Sequence, residues 1–303
     1  MKIGITGASG FLGSEIIHEA KRRRIQVVAF SRSPDREIPG ASEVRSIADT
    51  ENIDLTGLDG LVHLAGEPIV GLWTEEKKRR IRDSRIDLTQ DLVEAISRIQ
   101  RGKRPAVLVS ASAIGFYGNR GDEWLDEEAD VGFGFLAEVC RDWETAAFAA
   151  EKLGVRVVAP RIGLVMGRDG LLKRLRLPFK IGLGGRLGSG RQWMSWIHVK
   201  DLARLFVECA ANAQVSGRVN CVTPNPVTNN DFTLTYASVL GRKALFPVPG
   251  FLLKRLPGGM GGLFLDSQRV DPIVSKAFGF DFQFPDLREA LLEIEFPPES
   301  SSR

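Results

Sequence analysis

Tyrosine is scarce in this 303-residue chain. Only Tyr117 and Tyr236 occur, against 32 glycines, with three cysteines and three histidines. Each shortage excludes something. Cys140, Cys209 and Cys221 are odd in number and widely spaced, so they form neither a disulfide framework nor a zinc-ligand pattern. Lys+Arg 41 against Asp+Glu 38 leaves a net charge of +3, too balanced to argue for a nucleic-acid partner. No apolar run approaches the ~18–20 residues of a membrane span. No charged-then-apolar leader precedes the first strand-like run, so the expectation is a soluble, cytoplasmic protein without membrane contact. A 43% hydrophobic and 26% charged composition excludes disordered and collagen-like chains. The length fits one large α/β unit, or a domain with a smaller lobe.

What is present is an alternation of strands and helices. Lys2–Thr6 reads as a short apolar strand. Gly7–Gly13 is a glycine-rich turn, Ser14–Lys21 carries apolar residues at helical spacing, and Ile25–Phe30 is a second strand. This is a βαβ unit. Leu61–Ala65, Ala106–Ser110 and Val155–Ala159 read as further buried strands, and 74–99 and 135–152 as helices. The expected fold is a Rossmann-type doubly wound parallel sheet over 1–165, with part of 192–222 returning to it. Residues 166–303 would be mainly a smaller C-terminal α/β substrate lobe. In it, 201–213 reads as a helix, Thr228 as a helix N-cap, and 285–287 as the start of a last helix. The tail from 297 to 303 is expected to fray.

The strongest motif is Thr6-Gly7-Ala8-Ser9-Gly10-Phe11-Leu12-Gly13, with spacing G-x-x-G-x-x-G. Its first glycines suit a turn that the pyrophosphate of a dinucleotide can approach, and Gly13 suits close helix–strand packing. The helix N-terminus that follows offers free N–H groups and a positive dipole end. Ser9, Phe11 and Leu12 complete the cradle. At the end of the second strand, Ser31-Arg32-Ser33 stands where an acid would bind the ribose of NAD. An arginine flanked by hydroxyls suits a 2′-phosphate, which points to NADP; the bland alternative is a solvated surface arginine.

Further motifs carry a resemblance. They are Leu64-Ala65-Gly66-Glu67-Pro68-Ile69, Asp83-Ser84-Arg85, Ser110-Ala111-Ser112-Ala113-Ile114-Gly115-Phe116-Tyr117-Gly118, Trp196-Ile197-His198 and Leu265-Asp266-Ser267-Gln268-Arg269-Val270. With the glycine turn they resemble the extended short-chain dehydrogenases/reductases, and within them an atypical epimerase-family branch, over nearly the whole chain. The resemblance implies a Rossmann-type fold, NADP(H) binding and an undefined small-molecule substrate. Carried over by position, Ser31 and Arg32 would hold the 2′-phosphate, and Leu64, Ala65 and Gly66 would line the cleft, with Glu67 just beyond. Arg85 takes the place of a usual asparagine and reaches toward the cofactor. Pro160, Arg161 and Gly163 would sit near the nicotinamide. Dimerisation through the long helices is common in the superfamily, so a homodimer is the leaning.

The superfamily's usual proton-transfer device is a Tyr-x-x-x-Lys pair, in which the lysine lowers the phenol's pKa. Gly121 follows Tyr117 by four residues and Leu240 follows Tyr236, so the pair is absent. Taking Glu144 as the glutamate that often follows that lysine puts Cys140 at the lysine position and Leu136 at the tyrosine position. Two candidates remain. Ser112 would orient a substrate oxygen, or satisfy backbone groups at a strand end. Tyr117 would be a substitute acid, or substrate-facing packing. Ser110 is assigned to cofactor or backbone, and His63 and His198 to structure. The cations between Arg168 and Arg191 form a basic, glycine-rich stretch that either attracts an anionic or nucleotide-linked substrate or is solvated. Trp193 and Trp196 suit the wall of one pocket. Phe251–Leu256 is amphipathic and is assigned to lobe packing. Two functions stay open: an NADP(H)-dependent oxidoreductase or epimerase, and a non-catalytic NADP(H)-binding sensor or scaffold.

Overall fold

The structure, a computed structural model, describes residues 1–35 and 37–297. The tail beyond 297 lies outside the described residues. Seven strands form one fully parallel sheet: β1 (Lys2–Thr6), β2 (Gln26–Ser31), β3 (Glu43–Ser46), β4 (Gly60–His63), β5 (Val107–Ser110), β6 (Arg156–Ile162) and, from later in the chain, β9 (Gly217–Cys221). Their spatial order is β9-β6-β5-β4-β1-β2-β3, and Ser112–Ala113 adds a short stub beside β6. The chain runs outward from β1 to β3, then crosses back to place β4 beside β1.

Strand residues alternate between two apolar layers. Ile3, Ile5, Val62, Val107 and Val109 face α1 (Phe11–Arg22) and α5 (Val199–Ala211), which pack together. Val28, Leu61, Leu108 and Val157 join Leu92 of α2 (Glu75–Arg98) and Ala147 of α3 (Phe135–Phe148). Covering helices on both faces are why these strands read as near-continuous apolar runs. The edge strand β3, Glu-Val-Arg-Ser, has no buried residue and lay in a stretch where the sequence suggests no element.

The expected helix at 74–99 is α2. Thr74 is its N-cap, its Oγ1 accepting from the Lys77 amide at 3.1 Å. Thr74→Ala is expected to lower stability by about 1 kcal/mol in urea unfolding, since no other side chain caps that end.

Past β6 the chain builds a lobe from β7 (Leu164–Met166), α4 (Leu171–Lys180), β8 (Trp196–His198), α6 (Asn229–Val239) and α7 (Leu287–Glu295). Met166, Leu172, Phe179, Trp196, Phe232, Tyr236 and Leu291 form its core. Thr228 caps α6, accepting from the Asp231 amide. Residues 199–211 and 217–221 return to the main sheet as α5 and β9.

Candidate functional site

The strand order reverses between β1 and β4, and a crevice opens beyond the carboxyl ends of such a pair. The glycine turn occupies this place. Gly7 has φ +69°, and a Cβ there would lie 3.0 Å from the Ala65 amide nitrogen. A Cβ on Gly13 would stand 2.4 Å from the Gly7 carbonyl oxygen, so α1 starts against the turn only because Gly13 has no side chain. Gly10 is the N-cap of α1 and no side chain caps that helix end, so its first amides face the crevice mouth unclaimed by a cap. Ser9 and Gly10 are exposed, and Phe11 and Leu12 half-buried. The cradle fits a dinucleotide pyrophosphate. At the end of β2, the Ser31 hydroxyl bonds to the Ser33 backbone, and the exposed Arg32 forms no ion pair among the described residues.

The floor beside the cradle is polar and only partly satisfied. Thr6, His63 and Ser110 stand in register on β1, β4 and β5. Thr6 Oγ1 accepts from the Leu64 and Ala65 amides and lies 2.7 Å from His63 Nδ1. With both lone pairs taken, its O–H goes to Nδ1, which leaves the imidazole proton on Nε2. Burial, aided by nearby Arg85, pulls the His63 pKa down to about 3, so the ring is neutral. His63 Nε2, Ser110 Oγ and Trp143 Nε1 are buried and without a hydrogen-bond partner among the described residues. His63 meets Trp143 edge to face at 6.3 Å, and the Arg85 guanidinium lies over Trp143 at 5.2 Å. His63 is therefore not the fully satisfied core residue that the sequence suggests. Three buried groups that want partners on one floor are the feature sequence reasoning missed; the register that gathers two of them is not written in any spacing.

Arg85 and Glu67 are anchors as well as candidates. Arg85 Nη1 donates to the Glu67 and Ile81 carbonyls at 3.0 Å, and its Cζ would lie 3.1 Å from a Cβ on Gly66. Glu67 Oε1 pairs with Lys77 at 2.6 Å, which holds its carboxyl below the usual range, and its amide donates to Ser84 Oγ. Leu64, Ala65 and Gly66 thus cross the crevice on a loop tied to α2.

Ser112, Tyr117 and Arg161 are drawn instead into one buried network. The Ser112 hydroxyl donates to Glu144 Oε1 at 2.8 Å. Arg161, fully buried, donates Nε and Nη2 to the two Glu144 oxygens at 2.8 and 2.9 Å, and Nη1 to the Tyr117 hydroxyl at 2.9 Å. The phenol in turn lies 2.6 Å from Asn220 Oδ1 and 2.9 Å from the Asp126 carbonyl oxygen. Arg161 also lies over the Phe116 ring at 3.5 Å. Burial pushes the Tyr117 pKa up to about 12, the wrong direction for a proton-exchanging phenol. Arg161, expected near the nicotinamide, and Tyr117, expected as a substitute acid or as substrate-facing packing, are here engaged with each other. Pro160 is buried in β6, and Gly163 packs against Val222, just past β9, and the Ser195 carbonyl. Leu136 and Cys140, one turn apart on α3, pack on Gly115, and burial pushes the Cys140 thiol up to about 11.

Other expectations resolve simply. The basic stretch is partly helix α4, where Lys173 pairs with Asp169 and Arg176 with Glu295. Trp193 and Trp196 do not share a wall: Trp196 is in the lobe core, while Trp193 and Trp124 sandwich the Arg269 guanidinium at 4.1 and 4.0 Å. His198 caps α5, accepting from the Lys200 amide, and meets Glu293 at 3.0 Å. Among the described residues no cluster of His, Cys, Asp and Glu could hold a metal, and no helix is long and apolar enough to cross a membrane.

A doubly wound parallel sheet with a glycine turn at its switch point defines a Rossmann-type, NAD(P)-binding protein of the short-chain dehydrogenase/reductase class. The chain belongs to the NAD dependent epimerase/dehydratase family, whose model matches residues 3–221; a domain of unknown function, DUF1731, matches 248–294. It is 39% identical over 301 residues to the chloroplastic epimerase family protein SDR39U1 homolog of Arabidopsis thaliana, covering 97% of this chain and 86% of that one. It is 35% identical to epimerase family protein YfhF of Bacillus subtilis over 298 residues, covering 97% and 98%. The crystal structure of human epimerase family protein SDR39U1 (isoform 2) with NADPH superposes with a TM-score of 0.89 at 31% identity, covering 97% and 99% of the two chains.

Proposed function

We propose that the chain is an NADP(H)-dependent oxidoreductase or epimerase of the atypical extended type, acting on a small molecule. The observation that carries the cofactor choice is Arg32: an exposed guanidinium without an ion pair among the described residues, beside a serine, at the end of β2. The NADPH-bound human relative supports it. The bound nicotinamide would supply or accept hydride. Gly7, Gly10 and Gly13 bring backbone amides to the pyrophosphate, Arg32 offers two N–H donors to a 2′-phosphate, and the 64–66 loop closes one side. The floor offers three polar atoms without a partner among the described residues, His63 Nε2, Ser110 Oγ and Trp143 Nε1, apart from the Leu136 and Cys140 positions of the missing pair.

One observation favours the second reading, a non-catalytic NADP(H)-binding sensor or scaffold. Leu136 and Cys140 occupy the places of the missing pair, and the two hydroxyls that could substitute, Ser112 and Tyr117, are already committed inside the protein. Titration with NADPH and NADH, followed by carbonyl and nucleotide-sugar panels, separates the readings. Turnover on any panel supports the enzyme; tight NADPH binding without turnover supports the sensor. Binding of neither cofactor refutes both. Arg32→Asp is expected to weaken NADPH binding by at least about ten-fold and to leave NADH within about two-fold. Equal losses would remove Arg32 from the assignment.

A further inference from the structure

We propose that the outer face of the C-terminal lobe is a docking surface for an anionic lipid bilayer. The face is assembled from two segments. α4 turns Leu172 and Phe179 into the lobe core, yet Leu177 remains 67% exposed and Ile181, just past its end, 60% exposed. The following loop is fastened to residues 242–248. Arg242 Nε donates to the Lys180 carbonyl at 2.7 Å, the Phe246 amide to the Gly184 carbonyl, and the Val248 amide to the Arg186 carbonyl at 2.9 Å. This brings Leu183, 55% exposed, beside Leu245 and Phe246, which are 65% and 55% exposed. The short helix Gly250–Lys254 continues the series with exposed Phe251 and Leu252. A connected apolar surface of this kind on a protein face marks an interaction site.

The charges around it select the partner. No acidic residue lies between Asp169 and Asp201, nor between Asp231 and Asp266, although the chain holds 38 acids and its net charge is only +3. Arg174, Lys180, Arg242, Lys243, Lys254 and Arg255 are exposed in these two segments, and none forms an ion pair among the described residues. Apolar side chains ringed by cations match an interface whose headgroups are negative and whose interior is hydrocarbon. A second copy of the same face would set cation against cation, so self-association is the poorer match. No helix need enter the bilayer: the leucines, Ile181 and the two phenylalanines reach the headgroup boundary while the cations stay among the phosphates. This proposal departs from the sequence expectation of no membrane contact. It also gives the Phe251–Leu256 stretch a surface role, since Phe251 and Leu252 are left outside the lobe packing.

Flotation of the full chain with vesicles tests it. With phosphatidylcholine containing about one-third phosphatidylglycerol, binding is expected at least about ten-fold above pure phosphatidylcholine, and 0.5 M salt, roughly 4 Å of screening length, should release it. Leu183→Ser with Phe246→Ser should lower binding about ten-fold while NADPH affinity and the thermal midpoint stay unchanged. Lys180→Glu with Lys243→Glu should remove the dependence on phosphatidylglycerol. Flotation that is absent, or indifferent to lipid charge, would overturn the proposal. So would a concentration-dependent dimer that the Leu183→Ser, Phe246→Ser chain no longer forms, since the face would then belong to a second copy.

Discussion

Arg161→Ala is expected to lower folding stability by about 3–5 kcal/mol, the range seen when one partner of a buried ion pair is removed. Arg161 and Glu144 are both essentially out of solvent, with side-chain exposures of 1% and 2%. Burial works against the Arg161 charge, and the Glu144 and Tyr117 contacts outweigh it, so its pKa rises overall. Deleting the guanidinium strands Glu144 with the Ser112 hydroxyl and the half-exposed Arg218, whose Nε lies 3.1 Å away. It also takes away the donor to the Glu127 carbonyl and empties the space over Phe116. The partial compensation from Arg218 places the expected loss at the lower end of the range. Replacing both partners, Arg161→Met with Glu144→Leu, should recover much of it, because the desolvation penalty disappears with the charges. Urea unfolding at neutral pH reads both. A loss under about 1 kcal/mol for the single variant would mean that the network contributes little to holding α3 and the 112–127 segment against β6.

Gly13→Ala is expected to abolish useful NADPH binding, by about 100-fold or more, and to destabilise the fold by roughly 1–3 kcal/mol. Two effects oppose each other. Alanine favours a helix over glycine by up to about 1 kcal/mol, and Gly13 is in the first turn of α1. Against that, the added methyl would lie 2.4 Å from the Gly7 oxygen and 2.8 Å from the Ala8 Cα and oxygen. These are backbone atoms, which cannot rotate aside, so the turn and the helix must separate. The steric cost wins, and it falls on the amides that face the phosphates. Gly102→Ala is the control, since a Cβ there meets nothing within 4 Å. Calorimetric titration with NADPH decides the matter; affinity within about three-fold of the parent would show that the turn tolerates the shift.

Legibility in the sequence followed locality. The unit from β1 through α1 to β2 was readable because each of its pieces has its own period and the glycines punctuate it. The cap Thr228 was readable for the same reason. The edge strand β3 was not, since a strand with only Val44 as an apolar residue carries no alternation. Helix α4 was hidden by four interspersed cations and Pro178, although Leu172, Leu175 and Phe179 lie at helical spacing. The fate of the candidate hydroxyls was out of reach. Ser112 finds its acceptor 32 residues on, and Tyr117 lies against an asparagine 103 residues on.

The sequence by itself determined a glycine turn between a strand and a helix, an arginine in place of an acid at the end of β2, and the absence of a Tyr-x-x-x-Lys pair. All three are statements about neighbours along the chain, and backbone sterics make them binding wherever the chain folds. The tertiary structure decided which polar groups are free. It spent Ser112, Tyr117 and Arg161 on one interior network, tied Glu67 and Arg85 to the 64–67 loop, and left His63 Nε2, Ser110 Oγ and Trp143 Nε1 on the crevice floor without a partner among the described residues. Burial and pairing are set by which strands lie side by side, and that order brings together residues no local spacing connects. With two tyrosines in the chain and both buried, the phenol of the usual chemistry is missing from the crevice as well as from the motif.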